Sequence, residues 1–393
     1  MQGPLHGIRV IDMTAVGMGP WATQLLGDMG ADVVKIEPPD GDIVRHVAPQ
    51  RSAGMGHAFL NLNRNKRSVV LDAKSQRGAE AIRRLAASAD VFVTNVRPAA
   101  TRRLGLDYEA LARSNARLVY CACYGYGESG PYAGRPGVDD TIQAACGLAA
   151  MQGFGAAAPS FVHSIIVDKI LGIQVAHAIT LALLARERTG QGQRVDVPMF
   201  ETMVAFMAPE HLAGLSFDPP LGPAGYSRVL NPYRKPFRTK DGYLAVLPYT
   251  DAQWRRFFSI TGQPSLADDP RYRTSHARSS RAAELYRYVE ECLAGRSTAE
   301  WEVALRDADI PFAPVKSMED LLDDPHLLAV GFWKTVEHPT EGRLRSPDIP
   351  VKLSKTPGSI RRHAPGLGEH TEEVLREAGL ADLLPPAPSK EKH

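Results

Sequence analysis

Asp168 stands alone as a carboxylate in the run Ser164-Ile165-Ile166-Val167-Asp168-Lys169-Ile170-Leu171-Gly172. Apolar residues surround it, and an apolar helical pattern follows through Leu184. A carboxylate in such a setting is protonated, paired or put to use. Two readings follow. Asp is a preferred helix N-cap, and a helix starts here. A desolvated carboxylate is equally a candidate for covalent or acid-base chemistry. Position alone favours the cap, so the rest of the chain must decide.

Other polar groups gather where strands end. Asn61-Leu62-Asn63-Arg64-Asn65-Lys66-Arg67-Ser68 is a polar, basic lead-in to a strand. Arg45, Lys74, Asn95, Arg97 and Arg103 join it. Each alone is an ordinary solvated charge. Together they would suit a ligand carrying several phosphates, because the planar guanidinium binds phosphate in bidentate fashion. Gly125-Tyr126-Gly127-Glu128-Ser129-Gly130-Pro131 either turns the chain or offers amides to an oxyanion. Gly17-Met18-Gly19-Pro20-Trp21-Ala22 matches G-x-G-x-x-A, the outline of a dinucleotide fingerprint, with Glu37 twenty residues on. Two features argue against that use. The first glycine lies several residues past the strand end, and Pro20 removes an amide that should face a pyrophosphate. What survives is a turn whose backbone can be closely approached.

A chain of 393 residues exceeds one ordinary core, so two domains are expected. The net charge of +2 gives no field suited to nucleic acid or an anionic membrane. Met1 to His6 lacks the basic and apolar regions of a secretory leader. The apolar stretch from Gly172 to Leu184, broken by Gln174 and His177, reads as too short and too polar to span a bilayer. Cys121, Cys123, Cys146 and Cys292 form no CxxC pair. They read as reduced core residues of a cytoplasmic protein, with no metal site. Cys121 and Cys123, two apart on an apolar strand, point to one face.

The elements that must position the polar groups alternate. Strands are expected at Ile8 to Asp12, Asp32 to Glu37, Ser68 to Asp72, Asp90 to Thr94 and Leu118 to Cys123. Helices are expected at Pro20 to Met29 and Gln76 to Ser88. This alternation predicts an α/β fold with a parallel sheet covered on both faces. Sites in such sheets lie beyond the carboxyl ends of the strands, which gathers Thr14 to Gly19, Lys74, Asn95 to Pro98 and Tyr124 to Gly130 around one crevice. Residues 214–236 are rich in Gly and Pro and read as a linker. A smaller α+β region follows, 237–330, with a strand at Tyr243 to Leu247 and helices at Ala282 to Ala294 and Thr298 to Ala308. Residues 1–213 and 331–393 are assigned to the large domain. The tail from Pro385 to His393 reads as disordered.

The ordered segments of the chain resemble the class III coenzyme A transferases, the family of formyl-CoA, carnitine and bile-acid CoA-transferases. The matching residues include Asp12-Met13-Thr14, Gly19 to Leu26, Gly30 to Glu37, Gly41-Asp42 with Arg45, and Asn65 to Ser68. Asn95 to Pro98, Gly127 to Tyr132, Gly190 to Val197, Pro311 to Val315 and Gly368 to Thr371 follow in order. The resemblance implies that Asp168 is the catalytic aspartate, which displaces the cap-only reading. It implies a Rossmann-like large domain, an inserted small domain and two ring-like chains interlocked as a homodimer. It implies a CoA-transferase with acyl-CoA and a carboxylic acid as substrates and no tightly bound cofactor. The coenzyme would meet Val16, Gly17, Met18, Arg45, Leu71, Lys74, Asn95, Val96, Arg97 and Arg103, with Arg135 at a more variable position.

Departures from the family's subgroups narrow the reading. Oxalate-specific members carry glutamine where this chain has Gly17, so formyl or oxalyl transfer is not expected. The related 2-methylacyl-CoA racemases carry Gly-His-Asp where this chain has Gly137-Val138-Asp139. Val138 can serve as neither acid nor base for α-proton exchange. A racemase or epimerase and a non-catalytic acyl-CoA-binding protein stand as alternatives. His163 is the one obvious substitute for the missing histidine. Tyr226, Arg228, Asn231, Tyr233 and Arg234 lie in or near the linker, where an acceptor carboxylate could meet arginine. Succinyl-CoA is the donor suggested by the family.

Overall fold

The computed structural model describes residues 2–156 and 158–384. The tail Pro385 to His393 lies outside the described residues. The chain divides into two compact units. The first comprises Met1–Leu148, Phe161–Phe206 and Ala329–His393, and the second Ala149–Ser160 and Met207–Leu328. The Gly- and Pro-rich stretch 214–236 falls inside the second unit.

A six-stranded sheet organises the first unit. Its strands are β1 (Arg9–Met13), β2 (Asp32–Glu37), β3 (Lys66–Val70), β4 (Val91–Thr94), β5 (Val119–Tyr124) and β6 (Gln193–Pro198). They lie in the order β3-β2-β1-β4-β5-β6, and every pairing is parallel. Connections therefore run outward in both directions from β1 and β4. A crevice opens at that switch of direction, beyond the carboxyl ends of the strands.

The period of two along each strand divides the apolar residues between two cores. Val10, Val33, Val91, Val93, Cys121 and Cys123 face one side. Ile11, Val34, Val69, Phe92, Tyr120 and Ala122 face the other. Both cysteines of the Cys-x-Cys pair thus share a face, as their spacing predicts, and all four thiols are unpaired. The first core is closed by helices α1 (Met18–Asp28) and α4 (Ile166–Thr189). The second is closed by α2 (Gln76–Ala87) and by Val374 and Leu375 of the helix Thr371–Glu377.

Helix α4 is longer than the sequence pattern suggests. At 24 residues it is long and apolar enough, by length and composition alone, to cross a membrane. In this fold it buries Val167, Leu171, Val175, Ile179 and Leu183 in the first core. Gly172 is what lets it pack so closely. A Cβ there would lie 2.6 Å from Trp21 Cδ1 and 2.9 Å from the Met18 carbonyl oxygen. Those atoms belong to α1, so the glycine fixes how near the two helices come.

The second unit holds a three-stranded antiparallel sheet, Phe237–Arg238, Tyr243–Val246 and Phe312–Pro314. Helices Asp251–Ile260, Ala282–Leu293 and Thr298–Asp307 cover it. Trp254, Phe257, Phe258, Leu285, Leu293 and Trp301 form its core. Capping boxes at Thr250 with Gln253 and at Ser297 with Glu300 start two of these helices.

Candidate active site

A cavity of about 410 Å³ opens in the first unit where β1, β4 and β5 end. Its floor begins with the chain leaving β1. Asp12, fully buried, accepts from the Thr14 amide at 3.0 Å and from the hydroxyls of Thr14 and Thr23. Asn95, just past β4, reaches across the switch point. Its Oδ1 accepts from the Ala15 amide at 3.1 Å, and its Nδ2 donates to the Ala15 carbonyl at 2.8 Å. Val16 follows at φ +73°, a left-handed conformation that a β-branched residue rarely adopts. Gly17 then leads into α1.

Asp168 is not the N-cap of its helix. Ile165 holds that position without a side-chain hydrogen bond, and Asp168 is the third residue of α4. The cap bond comes from elsewhere. Asp139, on helix α3 (Asp139–Ala145), accepts from the Asp168 amide at 3.0 Å through Oδ2. Its other oxygen accepts from Gln143 Nε2 at 2.6 Å. Because another carboxylate satisfies the helix end, the Asp168 side chain is released from that duty.

The released carboxylate is 8% exposed and faces the cavity. Among the described residues, no donor is hydrogen-bonded to it. Burial, and then the negative charge of Asp139, push its pKa up to about 6. Gly17 lies directly against it: a Cβ at that position would be 2.2 Å from Asp168 Oδ2. The glycine of the G-x-G-x-x-A outline is therefore accounted for by the approach of Asp168. The group can do two things chemically. As a carboxylate it can attack an electrophilic carbon, and near pH 6 it can exchange a proton.

The structure gathers most of the expected site residues around this carboxylate. Val16, Gly17, Met18, Asn95, Arg97, Arg135 and Asp168 all line the cavity. Arg97 and Arg135 are exposed and have no carboxylate partner among the described residues, so two free cations stand at its rim. The Arg135 guanidinium lies 4.2 Å from the Tyr132 ring centre. The end of β5 adds Tyr124, and the loop after it adds Tyr126 and Glu128, with Glu128 ion-paired to Arg102 and Arg194.

Other expected residues lie elsewhere. Arg45 is 1% exposed and bridges Glu37 through Nε and Nη2, both at 2.7 Å. Its remaining donors go to the carbonyls of Gly54 and Pro365 and to Met55 Sδ, and Phe59 covers its face. No donor is left for a phosphate, so the expected contact is corrected to a structural ion pair. Leu71 packs into the second core. Lys74 and Arg103 are exposed and Val96 is half-buried, none of them lining the cavity. His163 is exposed and also outside it. Tyr226, Arg228, Asn231, Tyr233 and Arg234 belong to the second unit. The role of Asp139 was not legible in sequence, because Asp139 and Asp140 opening a helix are ordinary first-turn charges.

Comparison with known proteins gives this geometry a family. The sequence model of CoA-transferase family III matches residues 5–371. The succinyl-CoA:glutarate CoA-transferase of Mus musculus is 35% identical over 95% of this chain and 86% of its own length. The succinate–glutarate CoA-transferase of Agrobacterium fabrum is 34% identical over 95% of both chains. A CAIB/BAIF family protein from Brucella suis, solved by crystallography, superposes with a TM-score of 0.82 at 30% identity, covering 96% of this chain and all of its own. The chain belongs to CoA-transferase family III and is an enzyme of that family.

Proposed function

We propose that this enzyme moves coenzyme A from an acyl-CoA donor to a carboxylic acid through covalent intermediates on Asp168. The observation that carries the reading is the Asp168 carboxylate itself, buried, accepting no hydrogen bond among the described residues and facing a cavity at the sheet's switch point. Asp168 attacks the thioester carbonyl; the C–S bond breaks and CoA thiolate leaves, giving a mixed anhydride. The thiolate attacks the aspartyl carbonyl of that anhydride. The donor acid leaves as a carboxylate and an aspartyl-CoA thioester remains. The acceptor carboxylate attacks this thioester and again expels thiolate. The thiolate then takes the acceptor acyl group and returns Asp168 to its starting form. Protons neither enter nor leave across the cycle. Splitting one exchange into anhydride steps is what a carboxylate nucleophile offers. Anhydrides hydrolyse, so burial also serves the chemistry by keeping water off.

Arg97 and Arg135 are the cations best placed to meet the phosphates of CoA, and Val16 to Met18 the backbone best placed to meet its acyl end. A dicarboxylic donor and acceptor, succinyl-CoA and glutarate, are the first pair to try, on the strength of the two named relatives. A homodimer and a cytoplasmic location belong to the same reading. No observation favours the racemase: Val138 is 61% exposed and apolar. The test is turnover of succinyl-CoA with a panel of acids, followed by chromatography of the CoA esters. Formation of a second acyl-CoA by wild type, and its absence in Asp168→Ala, supports the reading. Equal transfer by both proteins would sink it.

A further inference from the structure

Beneath the cavity floor lies a cluster of buried charge. Asp12, Lys35, Glu37, Asp42, Arg45 and Lys66 are each at most 2% exposed, three anions and three cations. Two of the pairs hold the frame. Glu37 binds Arg45, and Asp12 binds Lys66, which also donates to the Pro20 carbonyl. The third pair reaches further along the chain leaving β1, to Val16. Lys35 Nζ donates to Asp42 Oδ2 at 3.0 Å and to the Thr14 carbonyl at 2.8 Å. Asp42 Oδ1 accepts from the Val16 amide at 3.1 Å and from the Val44 amide at 3.2 Å.

Residues 14–16 are thereby held by Lys35 at the Thr14 carbonyl, by Asp42 at the Val16 amide and by Asn95 at Ala15, with Asp12 accepting from the Thr14 amide. The grip holds Val16 at φ +73°, a conformation that persists only where the surroundings over-determine it. The next residue is Gly17, against Asp168 Oδ2. A buried ion pair is a poor device for stability alone, since an apolar pair of similar volume serves as well. Its value here is geometric.

We propose that Lys35 and Asp42 are positioning residues for the transfer, fixing residues 14–16 so that Gly17 and the first turn of α1 stand at the reacting carbonyl on Asp168. This rests on Asp168 being the nucleophile. The test compares wild type with Asp42→Ala, Asp42→Asn and Asp168→Ala. Asp28→Asn serves as a control, because Asp28 is a buried partner of Arg64 at 2.7 Å and does not touch the loop. Rates are taken per folded molecule from circular dichroism melts, with the acid pair that wild type turns over, succinyl-CoA and glutarate first. In Asp42→Ala, kcat falls at least about tenfold while KM for the acyl-CoA stays within about threefold, as expected for displaced catalytic geometry. Asp42→Asn keeps an oxygen for the Val16 amide and recovers part of the loss. Asp28→Asn lowers Tm and leaves kcat unchanged. Should Asp42→Ala not fold, the neutral pair Lys35→Met with Asp42→Asn takes its place.

A kcat in Asp42→Ala within twofold of wild type overturns the proposal. So does a change confined to KM, or a loss that Asp28→Asn reproduces. Asp168→Ala separates the two readings. Transfer that survives in it sinks the nucleophile, whereas an inactive Asp168→Ala beside an unimpaired Asp42→Ala sinks only the positioning.

Discussion

Asp168 carries two conflicting demands, and its pKa records them. Burial and Asp139 favour the neutral acid, while attack on a thioester needs the carboxylate. The pH profile of kcat/KM is therefore expected to rise through an apparent pKa of about 6, falling about tenfold per unit below it. Stability should move the other way. A carboxyl whose folded pKa is raised binds its proton more tightly in the folded state. It stabilises that state at low pH, and the advantage is lost as pH climbs from the unfolded value near 4 through about 6. Asp168→Asn, uncharged throughout, should then gain on the order of 1–3 kcal/mol over wild type at pH 8 and little at pH 4. Melts at the two pH values check this; an equal shift at both would contradict it. Gly17→Ala places a methyl where Asp168 now sits and should lower kcat at least about tenfold with the fold retained. Full activity in that variant would show that the approach does not matter. Asp168 stood out in the sequence because a lone carboxylate in an apolar run demands a reason. Asp139 and Asp42 did not, because each lies in a polar stretch where charge needs none.

Helix α4 can present Asp168 only because it lies close along α1. The contact is made at Gly172, one turn beyond Asp168 and on the same face. Gly172→Leu should drive the helices apart, costing about 1–3 kcal/mol and moving Asp168 away from Gly17. Chemical denaturation measures the first effect and turnover the second; a variant unchanged in both would contradict the packing argument. The central strands were legible because a parallel sheet buried on both faces leaves short apolar runs between helices. Strand β6 was not, since as an edge strand it reads Gln193-Arg194-Val195-Asp196-Val197-Pro198, with polar residues in half its positions. Arg45 was misplaced for a related reason. Its partner Glu37 sits eight residues earlier, and no local spacing shows that β2 and the following turn bring the two together.

At the scale of the molecule, the α/β class and the parallel sheet follow from strand–helix alternation, whereas the family rested on many ordered short motifs. Assembly was carried by resemblance alone. One surface feature is in keeping with it: Ile173, Leu181 and Leu184 on α4 are each about half exposed, apolar residues among the exposed polar Gln174, His177 and Thr180. Light scattering on the eluting protein should give twice the chain mass at micromolar concentration; a monomer there would contradict the homodimer. Covalent transfer through Asp168 is tested most directly by one measurement. Wild type and Asp168→Ala are mixed with succinyl-CoA, quenched with hydroxylamine, digested and read by mass spectrometry at the peptide holding residue 168. A hydroxamate on Asp168, formed only with acyl-CoA and absent from the variant, is the expected result. Turnover of CoA between acids with Asp168 unmodified at every quench time would contradict the covalent mechanism.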